Sequence, residues 1–198
     1  MTVTQADRRS RSRAALLEAA ARGISRHGYG NLVLEDVARE AGYTRGALYH
    51  QFSGKEELAL AVVAWVDQTW NDEVGELFTA PMCPVDALVA IARGHAVYCR
   101  RDIARVMLAL RVELSDQDNP VGQAVREIVA RLTAQLTALI AAGRKDGSIP
   151  PGPPPRVLAP AALTALEGLV IGAGGKAPHD EVLAERLVRG LLGLPVSG

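Results

Sequence analysis

Residues 33–52 read Val-Leu-Glu-Asp-Val-Ala-Arg-Glu-Ala-Gly-Tyr-Thr-Arg-Gly-Ala-Leu-Tyr-His-Gln-Phe, and they decide the fold class. Leu34, Val37, Ala38 and Ala41 fall on one face of a short helix, which Gly42 ends. Thr44 is a good N-cap for a second short helix running to about Phe52. Ala38 is small enough for the two helices to cross closely, and a glycine in the turn supplies an unusual backbone angle. Leu48 and Phe52, four apart, are expected to pack inward against Val37. Thr44, Arg45, Gly46, Tyr49 and His50 then lie toward the outer face, where a recognition helix meets the major groove of DNA.

Upstream, Leu16, Leu17, Ala20 and Ile24 mark a helix from about Arg8 to His27, with a polar and frayed segment before it and Gly28 as its stop. Gly23 inside that helix should cost about 1 kcal/mol against alanine. Downstream, Ser53 and Glu56 have capping-box spacing at the start of a helix from Lys55 to about Phe78. Helical patterns follow over 85–100, 103–114, 120–144, from about 156 or 159 to 172, and 179–192. Asn119-Pro120 opens one of them as N-cap and first helical residue. Pro160 either starts or kinks the next. Residues 150–155, Pro-Pro-Gly-Pro-Pro-Pro, form an extended connector. No period-two strand pattern is present. The expected fold is all-α with about nine helices: a three-helix helix-turn-helix head at 1–54 and a helical ligand-binding and dimerisation bundle at 55–198.

Composition agrees with that division. Aromatics are only 4% of 198 residues while 48% are hydrophobic, mostly Ala, Leu and Val, which favours helices over sheet. Net charge is zero overall, but residues 1–55 hold nine Lys/Arg against five Asp/Glu and the remainder thirteen against seventeen. A basic head on an acidic body points to a polyanion at one end. Two cysteines build no disulfide framework. No signal peptide pattern opens the chain, and Pro160 and Glu167 interrupt its longest apolar run at 157–174, so a cytoplasmic protein without a membrane partner is expected.

Leu-Leu-Glu-Ala-Ala at 16–20, Gly28-Tyr29, Val37-Ala38, Ala41-Gly42, Leu48-Tyr49, Phe52 and Lys55-Glu56-Glu57-Leu58 together resemble the TetR family of one-component repressors. The resemblance implies double-stranded DNA as a partner. It implies that Thr44 caps the recognition helix and touches a phosphate, and that Lys55 meets the backbone at the start of its helix. It sets Tyr49 and His50 against the DNA and makes Arg45 a guanine or phosphate contact. Arg13, with Arg8, Arg9 and Arg11, would follow phosphates or the minor groove. The sequence departs from the family at three places. Val33 and Leu34 stand where Thr or Ser caps the second helix, Ile24 replaces Phe, and Tyr43 replaces a small apolar residue and adds a DNA contact.

The resemblance also implies that the helix carrying Trp65 and Thr69 links the head to a ligand cavity for a small-molecule effector. His95, Tyr98, Cys99, Met107 and Arg111, on the next two helices, offer polar and soft groups to such a ligand. His95 and Cys99 could face one metal only if Cys83 joined them, and neither a metal nor another cofactor is expected. The helix at 160–172 is apolar nearly all round, so it needs two partners. One is its own body and the other a second copy, with Leu163, Leu166, Val170, Leu187 and Leu191 at a homodimer seam. Two rival functions stand beside the repressor: a regulator without a small-molecule inducer, and a helical enzyme. The four histidines fit no H-E-x-x-H arrangement, and no nucleotide-binding or G-x-S-x-G pattern is present.

Overall fold

Thr4 opens the first helix by a reciprocal cap. Its hydroxyl accepts the Asp7 N–H at 3.1 Å while its own N–H donates to the Asp7 carboxylate at 2.9 Å. The computed structural model describes residues 4–115 and 117–195, and within them α1 spans Gln5–His27. Arg8 to Arg13 are therefore exposed helical residues, and the frayed segment expected as far as residue 7 is helical from Gln5; its residues 1–3 lie outside the described ones.

The remaining helices are α2 (Leu34–Glu40), α3 (Arg45–Tyr49), α4 (Lys55–Glu73), α5 (Pro84–Tyr98), α6 (Val106–Leu114), α7 (Pro120–Lys145), α8 (Pro155–Ala173) and α9 (His179–Leu191). Short 3-10 turns at Gly75–Phe78 and Asp102–Arg105 end the fourth helical pattern and begin the sixth. No strand occurs among the described residues. The all-α expectation holds.

The chain divides into two compact units. One runs to Gln68 and includes Asp102–Arg126; the other holds Thr69–Arg101 and the residues from Glu127 onward.

In the first unit, Leu16, Ile24, Leu48, Phe52 and Leu58 are almost fully buried, with Val37 and Ala38 beside them. Gly23 has a packing reason: a Cβ there would stand 2.8 Å from Leu32 Cδ1. Gly42 takes φ +76° in the turn between α2 and α3, a conformation that side chains resist. The missing cap of α2 is real, since Val33 makes no side-chain bond there. Glu35 and Asp36 in its first turn still favour the positive end of the helix. Ser53 pairs with Glu57 rather than Glu56, its N–H and hydroxyl each donating at 2.7 Å.

In the second unit, α5 and α8 pack against α9 around Leu88, Ala92, Leu136, Ile140, Leu158, Leu166, Val188 and Leu192. Arg100 closes this packing. It donates twice at 2.9 Å to Asp180, a carboxylate with almost no exposure, and once to Glu181 at 2.6 Å. Asn119 caps α7 as expected, accepting the Val121 N–H at 2.8 Å. α8 begins at Pro155, so Pro160 lies inside it. By length and composition alone α8, of mean hydropathy 1.4, could cross a membrane.

Candidate nucleic-acid interface and helical interior

α3 is only five residues long, and what holds it is tertiary. Leu48 has no exposure and Phe52 almost none, so the helix is pinned from behind. Thr44 accepts the Ala47 N–H at 3.2 Å and caps it. Gln51 donates to Ser12 Oγ at 2.6 Å and ties the end of the motif to α1.

The expected outer face is exposed. Tyr49 is 42% and Tyr43 36% exposed, with Thr44, Arg45, Gly46 and His50 beside them. Arg45 is not free on this face: its Nη1 lies 2.8 Å from Glu35 of α2 and its guanidinium 5.3 Å from the Tyr49 ring centre. Glu35 was not foreseen, because the nine residues between it and Arg45 include a turn whose geometry sequence spacing does not report. Two further cations of the expected set also rest on the protein itself. Arg13 stacks 4.5 Å above Phe52. Lys55 donates to the Gly30 carbonyl at 2.6 Å and lies 4.8 Å from the Tyr29 ring.

Of the seven expected ligand residues, the structure gathers four in the second unit. Thr69 and Tyr98 share a hydrogen bond of 2.8 Å. Trp70 Nε1 donates to His95 Nδ1 at 3.1 Å, and His95 Nε2 lies 3.5 Å from Cys99 Sγ. With Nδ1 accepting, the neutral ring carries its proton on Nε2, toward the sulfur. Burial lowers His95 to about 4 and pushes the Cys99 thiol up to about 12, so both are neutral at pH 7. Burial likewise raises the Tyr98 phenol. Trp70 was missed as a member of this cluster.

The cavity beside His95, walled by Ala96, Leu166, Leu169, Val170, Gly174 and Asp180, has no room for a water molecule. A second, apolar cavity between Leu88, Ile91, Leu136, Ile140 and Leu191 has a volume of about 10 Å³, the size of a single water at most. Trp65, Met107 and Arg111 belong to the other unit, each half-buried. Cys83 cannot join His95 and Cys99 at a metal. It is the N-cap of α5 and Cys99 the C-cap, about 24 Å apart at 1.5 Å per residue. Among the described residues, no group of three or more His, Cys, Asp or Glu side chains is set to hold a metal.

Residues 16–62, which include α2, α3 and the start of α4, match the family model described as bacterial regulatory proteins, tetR family. Over those residues the chain is similar to the TetR family. The HTH-type transcriptional repressor AcnR of Corynebacterium efficiens is 37% identical over 118 residues. That alignment covers 59% of this chain and 56% of the relative, so the chain spans little more than half of that protein's length. The crystal structure of the MbdR regulator from Azoarcus sp. CIB superposes with a TM-score of 0.78 at 20% identity, covering 94% of this chain and all of that one. A structure of AibR in complex with isovaleryl coenzyme A and operator DNA gives 0.74 at 22% identity, covering 93% and 100%. At these identities the likeness is one of fold.

None of the residues expected at the homodimer seam is among the exposed ones. Leu166 and Val170 are buried within their own unit, and Leu163, Leu187 and Leu191 are half-buried there. They face inward because α5 and α9 occupy that side of α8. The outward stripe of α8 is instead Val157, Ala161, Thr164, Gly168 and Ile171, the last 68% exposed; on α9 it is Val182, Leu183 and Arg186.

Proposed function

We propose that the chain is a DNA-binding transcriptional regulator, acting as a repressor on a pseudo-palindromic site. The observation that carries this is the exposed face Tyr43, Thr44, Arg45, Gly46, Tyr49 and His50, locked from behind by Leu48 and Phe52 in a TetR-family head. Residues 1–54 are read as the DNA-binding portion and 55–198 as the ligand-binding and dimerisation portion. Two copies join through the outward stripes of α8 and α9 and present α3 to successive major grooves, about 34–36 Å apart. Arg13 and Lys55 exchange their contacts with Phe52 and Gly30 for phosphates on binding. The protein acts in the cytoplasm, without a membrane partner, and as a switch rather than a catalyst.

In this reading a small effector enters near Thr69, His95, Tyr98 and Cys99 and favours a state in which the two heads do not match the grooves. Reversing occupancy from 99:1 to 1:99 requires a preference of about 5.5 kcal/mol. The tight packing around His95 favours a second reading, control by a protein partner or by expression level alone. Both readings share the head.

The test is an anisotropy titration of the full chain with the duplex upstream of its own gene and an unrelated duplex of equal length, over a salt series. Expected are a preference for the first, a steep loss of affinity with salt, and a drop of about tenfold for Arg45→Ala. Equal binding of both duplexes defeats the reading. Addition of apolar and cationic compounds to the bound complex separates the effector reading from the partner reading.

A further inference from the structure

The turn between α1 and α2 is gripped by a side chain 84 residues away. Both oxygens of Glu113, on α6, accept successive backbone N–H groups: Oε2 that of Tyr29 at 2.6 Å and Oε1 that of Gly30 at 2.5 Å. Charge-assisted bonds to consecutive amides are the strong kind and form an anion-holding concavity. The turn is shaped for this carboxylate. Gly28 sits at φ +79°, and a Cβ there would come 2.7 Å from Glu113 Oε2; a Cβ at Gly30 would come 2.9 Å from Oε1. Lys55 holds the same turn from another side, donating to the Gly30 carbonyl beneath the Tyr29 ring. The turn thus joins α1, α4 and α6 just before α2, which packs on α3. α6 also carries Met107 and Arg111, both on the expected ligand set.

We propose that Glu113 is a positioning residue for DNA recognition: by holding the Tyr29 and Gly30 amides it fixes the direction in which α2 and α3 leave the end of α1. It is not a DNA contact. This role deepens the DNA-binding reading and rests on it.

The experiment uses the full chain, the same two duplexes, and amide hydrogen exchange read at Tyr29 and Gly30. Glu113→Ala is expected to speed exchange of both amides and to weaken binding to the upstream duplex at least about tenfold. Binding to the unrelated duplex is unchanged or slightly tighter, because a negative charge has gone. Gly30→Ala, which crowds the carboxylate while leaving it in place, shifts both readouts the same way, and it carries the test should Glu113→Ala fail to fold. The double variant binds no more weakly than Glu113→Ala alone, since the two changes act on one contact. A wild-type preference between duplexes that survives Glu113→Ala overturns the proposal and leaves the DNA reading intact, as does unchanged amide exchange. A wild-type chain that prefers neither duplex overturns the DNA reading and this proposal with it.

Discussion

Tyr49 on α3 and Tyr98 on α5 are the same residue in opposite situations. Tyr49 is exposed, its ring 5.3 Å from the exposed Arg45 guanidinium, on a helix held by Leu48 behind it. Tyr98 is buried, and its hydroxyl is matched to Thr69 as Trp70 is matched to His95. A polar side chain kept outside leaves stability to its neighbours and remains available to a partner. One taken inside must find its partner within the chain, because an unmatched buried polar group costs about 1–3 kcal/mol. In the head the exposed face and the residues that hold it are different side chains, whereas the interior of the second unit pairs its polar groups with one another.

The separation is broken most directly at α3. Leu48→Ala is expected to destabilise the chain by about 3 kcal/mol through the cavity it leaves, measured by urea unfolding. Tyr49→Ala should stay within about 0.5 kcal/mol of wild type yet weaken binding to the upstream duplex. If Tyr49→Ala destabilises as much as Leu48→Ala, the two roles are not separated.

The interior is probed next at Arg100. Arg100→Ala strips Asp180 of its bidentate partner within a nearly closed site and should cost about 2 kcal/mol. Arg100 holds the Asp180 carboxyl below the ordinary carboxylate range, so the stability that this pair contributes is present above about pH 4 and is lost as pH falls further.

His95 supplies a separate window. Its folded value of about 4 lies below the ordinary 6.5. As pH falls from 6.5 toward 4 the unfolded chain takes up a proton that the folded chain refuses. Stability attributable to His95 should thus be intact above pH 7 and fall by about 2 kcal/mol by pH 5. His95→Gln should flatten that part of a stability profile measured by denaturant unfolding; an unchanged slope removes His95 as the cause.

The smallest effect is chemical. A thiol reagent at pH 8 should modify exposed Cys83 in the native chain and leave Cys99 until unfolding, because the reactive form is the thiolate and burial suppresses it. Equal rates would show that the cluster around His95 opens readily.

Much of the head was legible because its signals are local. Gly28 and Gly42 stop helices where the chain must turn, Thr44 caps α3, and the 3.6-residue spacing places Leu48 and Phe52 inward. Thr4 and Asp7 carried a readable cap that was passed over in favour of a later start. Ser53 was matched to Glu56 by spacing, while the first turn of α4 in fact brings Glu57 to it. Of the expected ligand residues, His95, Tyr98 and Cys99 are neighbours at the end of α5 by helical spacing, while Thr69 lies on α4 and its meeting with Tyr98 is a contact across helices. Trp70, also on α4, meets His95 across helices in the same way and was not foreseen.

From its sequence alone this protein had its helices, their order, the exposed face of α3 and the likeness of its head to the TetR family, since each depends on residues a few positions apart. Tertiary structure decided which side of the uniformly apolar α8 faces inward, that Arg45 and Lys55 rest on Glu35 and Gly30, and that Glu113 reaches the α1–α2 turn. The physical reason is the same in each case. A side chain's partner across a fold is set by the direction and depth of packing, and residues 84 positions apart share no periodicity from which that meeting can be read.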